Sequence, residues 1–201
     1  MGIKTHVNFF KCKRSEMKIN LGCGFSKLNG FINVDMFDGC IPDINMDLEK
    51  LPWDFRDNCA DEILLNHSLE HLGATNEIFL GIMQELYRIS KPGGKIQVNV
   101  PHPRHDFYLN DPTHIRPISP PLFELFSKKL NYEWQKKGWS NSQLALALNV
   151  DFEIKNVLQI LDDRYENLYQ LKKISNHDLQ KLILENNNIV CEYQITLEVI
   201  K

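Results

Sequence analysis

Lys18-Ile19-Asn20-Leu21-Gly22-Cys23-Gly24, followed by Ile32-Asn33-Val34-Asp35, is the stretch whose reading decides the fold. Met17, Ile19 and Leu21 alternate with polar residues, which predicts a strand over about residues 17–21. It runs into a Gly-x-Gly turn, where the absence of side chains lets the backbone approach a ligand closely. A second strand, over about residues 31–35, ends on the carboxylate of Asp35. A carboxylate offers two acceptor oxygens and so suits a vicinal diol. Only about ten residues separate the strands, and Asn29-Gly30 among them is a turn signal. A parallel crossover usually needs a dozen or more residues and a helix. The first crossover helix is therefore expected to be truncated or missing.

Outward from this stretch the chain keeps alternating strand and helix patterns. Residues 43–48 predict a short strand or extended segment, and Ile63-Leu64-Leu65 within 61–66 predicts a buried parallel strand. From Thr75 to Ser90 the apolar residues Ile78, Phe79, Ile82, Met83, Leu86 and Ile89 fall on one helical face. Thr75 can cap that helix, and Lys91-Pro92-Gly93-Gly94 is expected to end it. Residues 95–100 predict a fifth strand, 122–137 a helix, 152–161 a strand, 165–185 a helix and 191–199 a last strand. The last strand alternates strictly, which predicts one polar face. Residues 1–16 predict a loose lead-in or a short helix. Six of the nine prolines lie within 101–121, together with His102, His105 and His114. A long rigid loop of this kind is usually functional.

The 201 residues, 43% of them apolar, suffice for one domain with a substantial core. A net charge of −3 provides no broad basic field, which disfavours nonspecific nucleic-acid binding. The five cysteines, Cys12, Cys23, Cys40, Cys59 and Cys191, include no Cys-x-x-Cys pair and read as reduced thiols of a cytoplasmic protein. No signal-peptide core or membrane-spanning apolar run is present, so no membrane association is expected.

The order of strand, glycine turn, strand ending in an acid, strand, helix, Pro-Gly-Gly and strand resembles the class I S-adenosylmethionine-dependent methyltransferases. Asn20-Leu21-Gly22-Cys23-Gly24 with Gly30-Phe31-Ile32-Asn33-Val34-Asp35 resembles the opening of their type 11 group. Three further pieces match in order: Asp47–Trp53, Ser68–Leu72 and Leu86–Gly94. The matching stretch runs over about residues 17–102. The resemblance implies an α/β, Rossmann-like, doubly wound and mostly parallel seven-stranded sheet with an antiparallel C-terminal strand. It implies a single domain over 1–201, with 101–140 as a lid on the substrate side. It implies S-adenosyl-L-methionine as cofactor. Leu21, Gly22, Cys23 and Gly24 would pass under its methionine part. Asp35 would take the ribose hydroxyls, and Met36 beside it would also contact the cofactor. Asp47 and Leu48 would face the adenine, and Asn66 and His67 would lie near the methionine half. Ser26 and Lys27 stand where the family has a third glycine. With the first helix short, the N-terminal segment, a second copy or a partner chain is expected to cover that side.

On the substrate side the candidates for proton transfer are His102 and His114, because histidine titrates near neutrality. Arg104, Asp111 and Arg116 are candidates for positioning a polar acceptor, and Phe107, Tyr108, Trp134 and Trp139 for lining its pocket. The expected acceptor is a small molecule, a sugar or metabolite, with a peptide or protein side chain next. His67-Ser68-Leu69-Glu70-His71 spells a zinc-peptidase pattern, but that chemistry needs both histidines on one helix. His67 follows a strand, so no metal is expected, and Glu70 and His71 are read as holding the turn. Two rival readings remain: a noncatalytic cofactor-binding subunit and a nicotinamide dehydrogenase. The second lacks the Gly-x-Gly-x-x-Gly that cradles a pyrophosphate.

Overall fold

The computed structural model describes residues 16–201. The expected lead-in over 1–16 therefore lies, but for Glu16, outside the described residues. Seven strands form one sheet: β1 (Lys18–Leu21), β2 (Ile32–Asp35), β3 (Ile44–Asn45), β4 (Ala60–Asn66), β5 (Ser90–Pro101), β6 (Phe152–Leu161) and β7 (Val190–Val199). Their order is β3-β2-β1-β4-β5-β7-β6. The first five are mutually parallel, and β7 runs antiparallel to both β5 and β6. The expected α/β sheet is thus present, with its antiparallel C-terminal strand.

No α-helix occurs between β1 and β2, between β2 and β3, or between β3 and β4 among the described residues. The β1–β2 link is closed by turns instead, Ser26 N–H donating to the Cys23 carbonyl and Phe31 N–H to that of Leu28. The helices begin with α1 (Asn76–Ile89), whose N-terminus is capped by the Thr75 hydroxyl accepting from Ile78 N–H at 3.3 Å. They continue with α2 (Asp106–Leu109), α3 (Pro120–Glu124), α4 (Lys128–Lys137), α5 (Leu144–Leu148), α6 (Asp163–Gln170) and α7 (Asn176–Glu185).

Three expected elements differ from those observed. The single helix predicted over 122–137 is two, α3 and α4. The break lies at Ser127, whose hydroxyl caps α4 by accepting from Leu130 N–H. The helix predicted over 165–185 is also two, divided where Ser175 caps α7 and Lys172 adopts a left-handed φ of 54°. Lys91–Gly94 does not lie outside the fifth strand. It forms an irregular start to β5, with the ladder to β4 shifting between Ala60 and Glu62.

One face of the sheet is the core. Ile19, Leu21, Ile63, Leu65, Ile96, Val98, Ile195 and Leu197 are wholly buried there, clustered with Phe79, Ile82, Met83 and Leu86 of α1 and Phe123 of α3. Successive side chains of a strand point to opposite faces, so the other face carries the alternate residues. Apart from Leu64 these are mostly polar, and several bond one another across the ladder. Lys18 pairs with Glu62 at 2.6 Å, and Asn99 donates to Asn66 and Thr196 to Gln97. Strand β7 therefore lies inside the sheet and still has the polar face its alternation predicts.

Candidate cofactor cleft

The turn after β1 is anchored to the end of β2. Gly22 and Cys23 N–H both donate to the Val34 carbonyl, at 2.9 and 3.0 Å. Gly24 N–H donates to Asp35 Oδ2 at 2.8 Å, and Phe37 N–H to Oδ1 at 2.9 Å. Each Asp35 oxygen so keeps a lone pair for a further donor. Gly22 has φ +70°, and a Cβ there would lie 2.5 Å from the Ser68 Cβ. Glycine at this position is thus required by both conformation and space. Ser68 in turn donates through Oγ to the Leu21 carbonyl at 2.9 Å, joining the ends of β1 and β4.

Beyond β3, Asp47 Oδ1 accepts from Glu49 N–H, and Glu49 Oε1 accepts from Gly73 N–H at 2.7 Å. The 47–49 segment is thereby tied to the turn that follows β4. The result is a cleft of about 450 Å³ lined by Gly22, Gly24, Asp35, Met36, Met46, Asp47, Leu48, Glu49, His67, Ser68, His71 and Leu72. It lies beyond the C-terminal ends of the parallel strands, at the point where strand order reverses between β1 and β4. Open α/β sheets bind ligands there.

Seven of the residues singled out from the sequence line this cleft: Gly22, Gly24, Asp35, Met36, Asp47, Leu48 and His67. Leu21 is wholly buried beneath it. Cys23 is also buried, which pushes its thiol up to about 11 and makes it a small packing group rather than a nucleophile. Asn66 turns to the polar face, where it accepts from Asn99. Met46, Glu49, Ser68, His71 and Leu72 line the cleft without having been assigned a cofactor role, His71 having been read only as holding the turn. The signal for them was position alone, since each follows the end of a strand or lies in a matched segment.

A second, more open cavity of about 740 Å³ adjoins the first and shares His67 and His71 with it. Glu70, Pro101, Phe107, Asn110, Asp111, Pro112 and His114 complete its lining. His67 has φ +50°, and its Nε2 lies 2.7 Å from Glu192 and its Nδ1 3.5 Å from Glu70. The Glu70 carboxylate, and then Glu192, hold the imidazole pKa above its usual value against the opposing effect of burial. His114 Nδ1 lies 2.7 Å from the Tyr108 carbonyl, and the two rings stack with centroids 5.2 Å apart.

The two histidines proposed for proton transfer separate. His114 faces the second cavity. His102 lines neither cavity: it is buried against Tyr193, and its Nδ1 accepts from Arg104 N–H. Burial, with Arg104 nearby, lowers its pKa to about 4. Of the other substrate-side candidates, Asp111 and Phe107 line the second cavity. Arg104 donates to the Ile183 and Leu184 carbonyls of α7. Arg116 donates to the Gly73 carbonyl and lies over the Phe79 ring. Trp134 is buried, and Trp139 is exposed beside Lys137.

Comparison with known proteins agrees with this fold. A family model described as a methyltransferase domain matches residues 30–98. A SAM dependent methyltransferase from Archaeoglobus fulgidus superposes with a TM-score of 0.62 at 16% identity, covering 92% of this chain and 87% of that one. SAM-dependent methyltransferases from Methanosarcina mazei give 0.51 at 13%, covering 93% and 94%. A chain from a Haloferax volcanii complex containing the Trm112 methyltransferase activator gives 0.52 at 10%, covering 93% and 84%. A search of the curated proteins returns no match. The fold is that of the class I S-adenosylmethionine-dependent methyltransferases, as the resemblance implied. The central third of the chain carries the sequence pattern of their domain.

Proposed function

We propose that the chain transfers the methyl group of S-adenosyl-L-methionine to an acceptor held in the second cavity. What carries the reading is convergence: the glycine turn, Asp35, the Asp47–Leu48 segment and the end of β4 surround one cleft at the switch point of the sheet. Gly22 and Gly24 leave room for the methionine part, Asp35 receives the ribose hydroxyls, and Asp47 with Leu48 flanks the adenine. Asn66 contributes through its backbone position and His67 through its side chain. The cofactor brings an activated methyl group, and the protein holds donor and acceptor in line. Proximity of this kind contributes up to roughly 7–11 kcal/mol.

The acceptor is a small molecule carrying a hydroxyl or amine. The 101–140 segment forms its wall through Phe107, Asn110, Asp111 and His114, within a single domain. His114 is the group that faces the reacting atom, a role that His102, buried elsewhere, does not take. A second reading, a binding subunit working with a partner chain, is favoured by one observation. Phe25, Met36, Phe37 and Ile41 are all exposed beside the cleft, where the first crossovers lack helices. No helix among the described residues is long and apolar enough to cross a membrane.

Calorimetric titration tests the cofactor assignment. S-adenosylmethionine should bind with one equivalent and NAD should not. Asp35→Ala should weaken binding by roughly 10–100-fold, the worth of about 1.5–3 kcal/mol for hydrogen bonds to a charged group. Unchanged affinity in a folded variant would remove the ribose role. Methyl transfer to a component of a cell extract, detected by mass, separates the enzyme from the binding subunit.

A further inference from the structure

Glu70 is 1% exposed, and neither of its carboxylate oxygens has a hydrogen-bond partner. A buried carboxylate left in this state is costly unless a cation or donor meets it. His67 approaches at 3.5 Å but is drawn to Glu192 at 2.7 Å. On the other side stand His71 and His114, their rings 4.6 Å apart. One ligand atom from each of Glu70, His71 and His114 lies within 4.8 Å of the others. Long-range backbone bonds create this meeting, because Ile115 and Arg116 N–H both donate to the Glu70 carbonyl.

The hydrogen bonds around the two rings also assign their tautomers. His114 Nδ1 faces the Tyr108 carbonyl, which can only accept, so Nδ1 carries the proton. His71 Nδ1 lies 3.0 Å from Thr113 Oγ1, whose one proton goes to Asp111. His71 Nδ1 must therefore donate as well. In both neutral rings the lone pair is left on Nε2, and each opposite nitrogen is oriented by an outer partner. Metal-ligating histidines are held in this way.

We propose that Glu70, His71 Nε2 and His114 Nε2 bind a divalent transition-metal ion at the junction of the two cavities. Two imidazoles and one carboxylate suit zinc, manganese or cobalt rather than magnesium, which prefers an all-oxygen shell. Bonds of about 2.1 Å place ligand atoms roughly 3–3.5 Å apart, so the three side chains close by about an ångström on binding. Three protein ligands leave positions open toward the second cavity. On the methyl-transfer reading, on which this use alone rests, an acceptor hydroxyl occupies one of them, the ion lowers its pKa, and its proton leaves to solvent through the open cavity before the oxygen takes the methyl group from the sulfonium. His114 then acts as a ligand rather than as a base. The zinc-peptidase spacing of His67 and His71 is not the basis of this site, since His67 is paired with Glu192.

Metal titration of chelator-stripped protein tests the proposal without cofactor or acceptor. One equivalent of Zn²⁺, Mn²⁺ or Co²⁺ is expected, and no binding of Mg²⁺ at the same concentration. Co²⁺ should give weak d–d absorption without a thiolate charge-transfer band, which excludes the rival grouping of Cys23, Asp35 and Cys40. His71→Ala and His114→Ala should each weaken binding at least about 100-fold. Absence of stoichiometric binding in the wild type overturns the site, as does a thiolate band or unchanged affinity in both folded variants. Absence of binding, or unchanged affinity in both variants, leaves S-adenosylmethionine binding untouched, so the two readings fail separately.

Discussion

Gly22 and Gly24 look equivalent in the sequence, yet they differ in what surrounds them. Both have positive φ, but a side chain at Gly22 meets Ser68 while one at Gly24 meets nothing within 4 Å. Gly24→Ala should therefore cost only the left-handed strain, about 1–2 kcal/mol. Gly22→Ala adds an overpacking cost of roughly 1–3 kcal/mol and displaces Ser68 from the Leu21 carbonyl. Thermal melts should rank Gly22→Ala below Gly24→Ala, and the cofactor should bind more weakly to the former. Equal melting temperatures would show that the Ser68 contact yields freely. The Asp35 and glycine positions were legible because their backbone partners lie on neighbouring strands. The histidines were not, because composition cannot tell a ring packed on Tyr193 from one facing a cavity.

At the scale of elements, α1 does more than cover the sheet. Glu85, buried on its inner side, accepts from Trp53 N–H at 2.7 Å and from Arg88 Nε at 2.7 Å. Arg88 also donates to the Trp53 and Phe55 carbonyls and to Asp57. This clamp holds the 53–57 loop, and with it the Asp47–Leu48 side of the cleft, through Trp53 Nε1 donating to the Leu48 carbonyl. Glu85→Ala leaves Arg88 its other acceptors but strands the Trp53 N–H. Chemical denaturation should show a loss of about 1–3 kcal/mol, the cost of one unpaired buried donor. Weakened cofactor binding should accompany it. The helix itself was readable from its 3.6-residue period. The breaks at Ser127 and Ser175 were not, because apolar spacing continues across a capping serine.

For the whole molecule, the buried histidine sets an acid limit. His102 titrates near 4 when folded and near 6.5 when exposed by unfolding. Above pH 6.5 it is neutral in both states and contributes no pH dependence. Between 6.5 and 4 the unfolded chain takes up a proton that the folded one refuses. Stability should fall across that window by about 3 kcal/mol through this group. His102→Gln should flatten the slope in a pH series of denaturation curves; an unaltered slope would place the acid sensitivity elsewhere. His67 works in the opposite sense. Its raised pKa stabilises the fold below about 6.5, and that contribution is lost as pH rises through the folded value.

The sequence by itself determined the central strands, the missing first crossover helix and most of what meets at the first cleft, which is half of the candidate site. Each of these depends on short-range facts: strand periodicity, a left-handed glycine turn and an acid at a strand end. Tertiary structure decided the other half. Glu70 and His71 meet His114 only because Ile115 and Arg116 bond back to the Glu70 carbonyl across more than forty residues. Which ring nitrogen keeps its lone pair follows from partners, Tyr108 and Thr113, that the spacing of residues cannot aim.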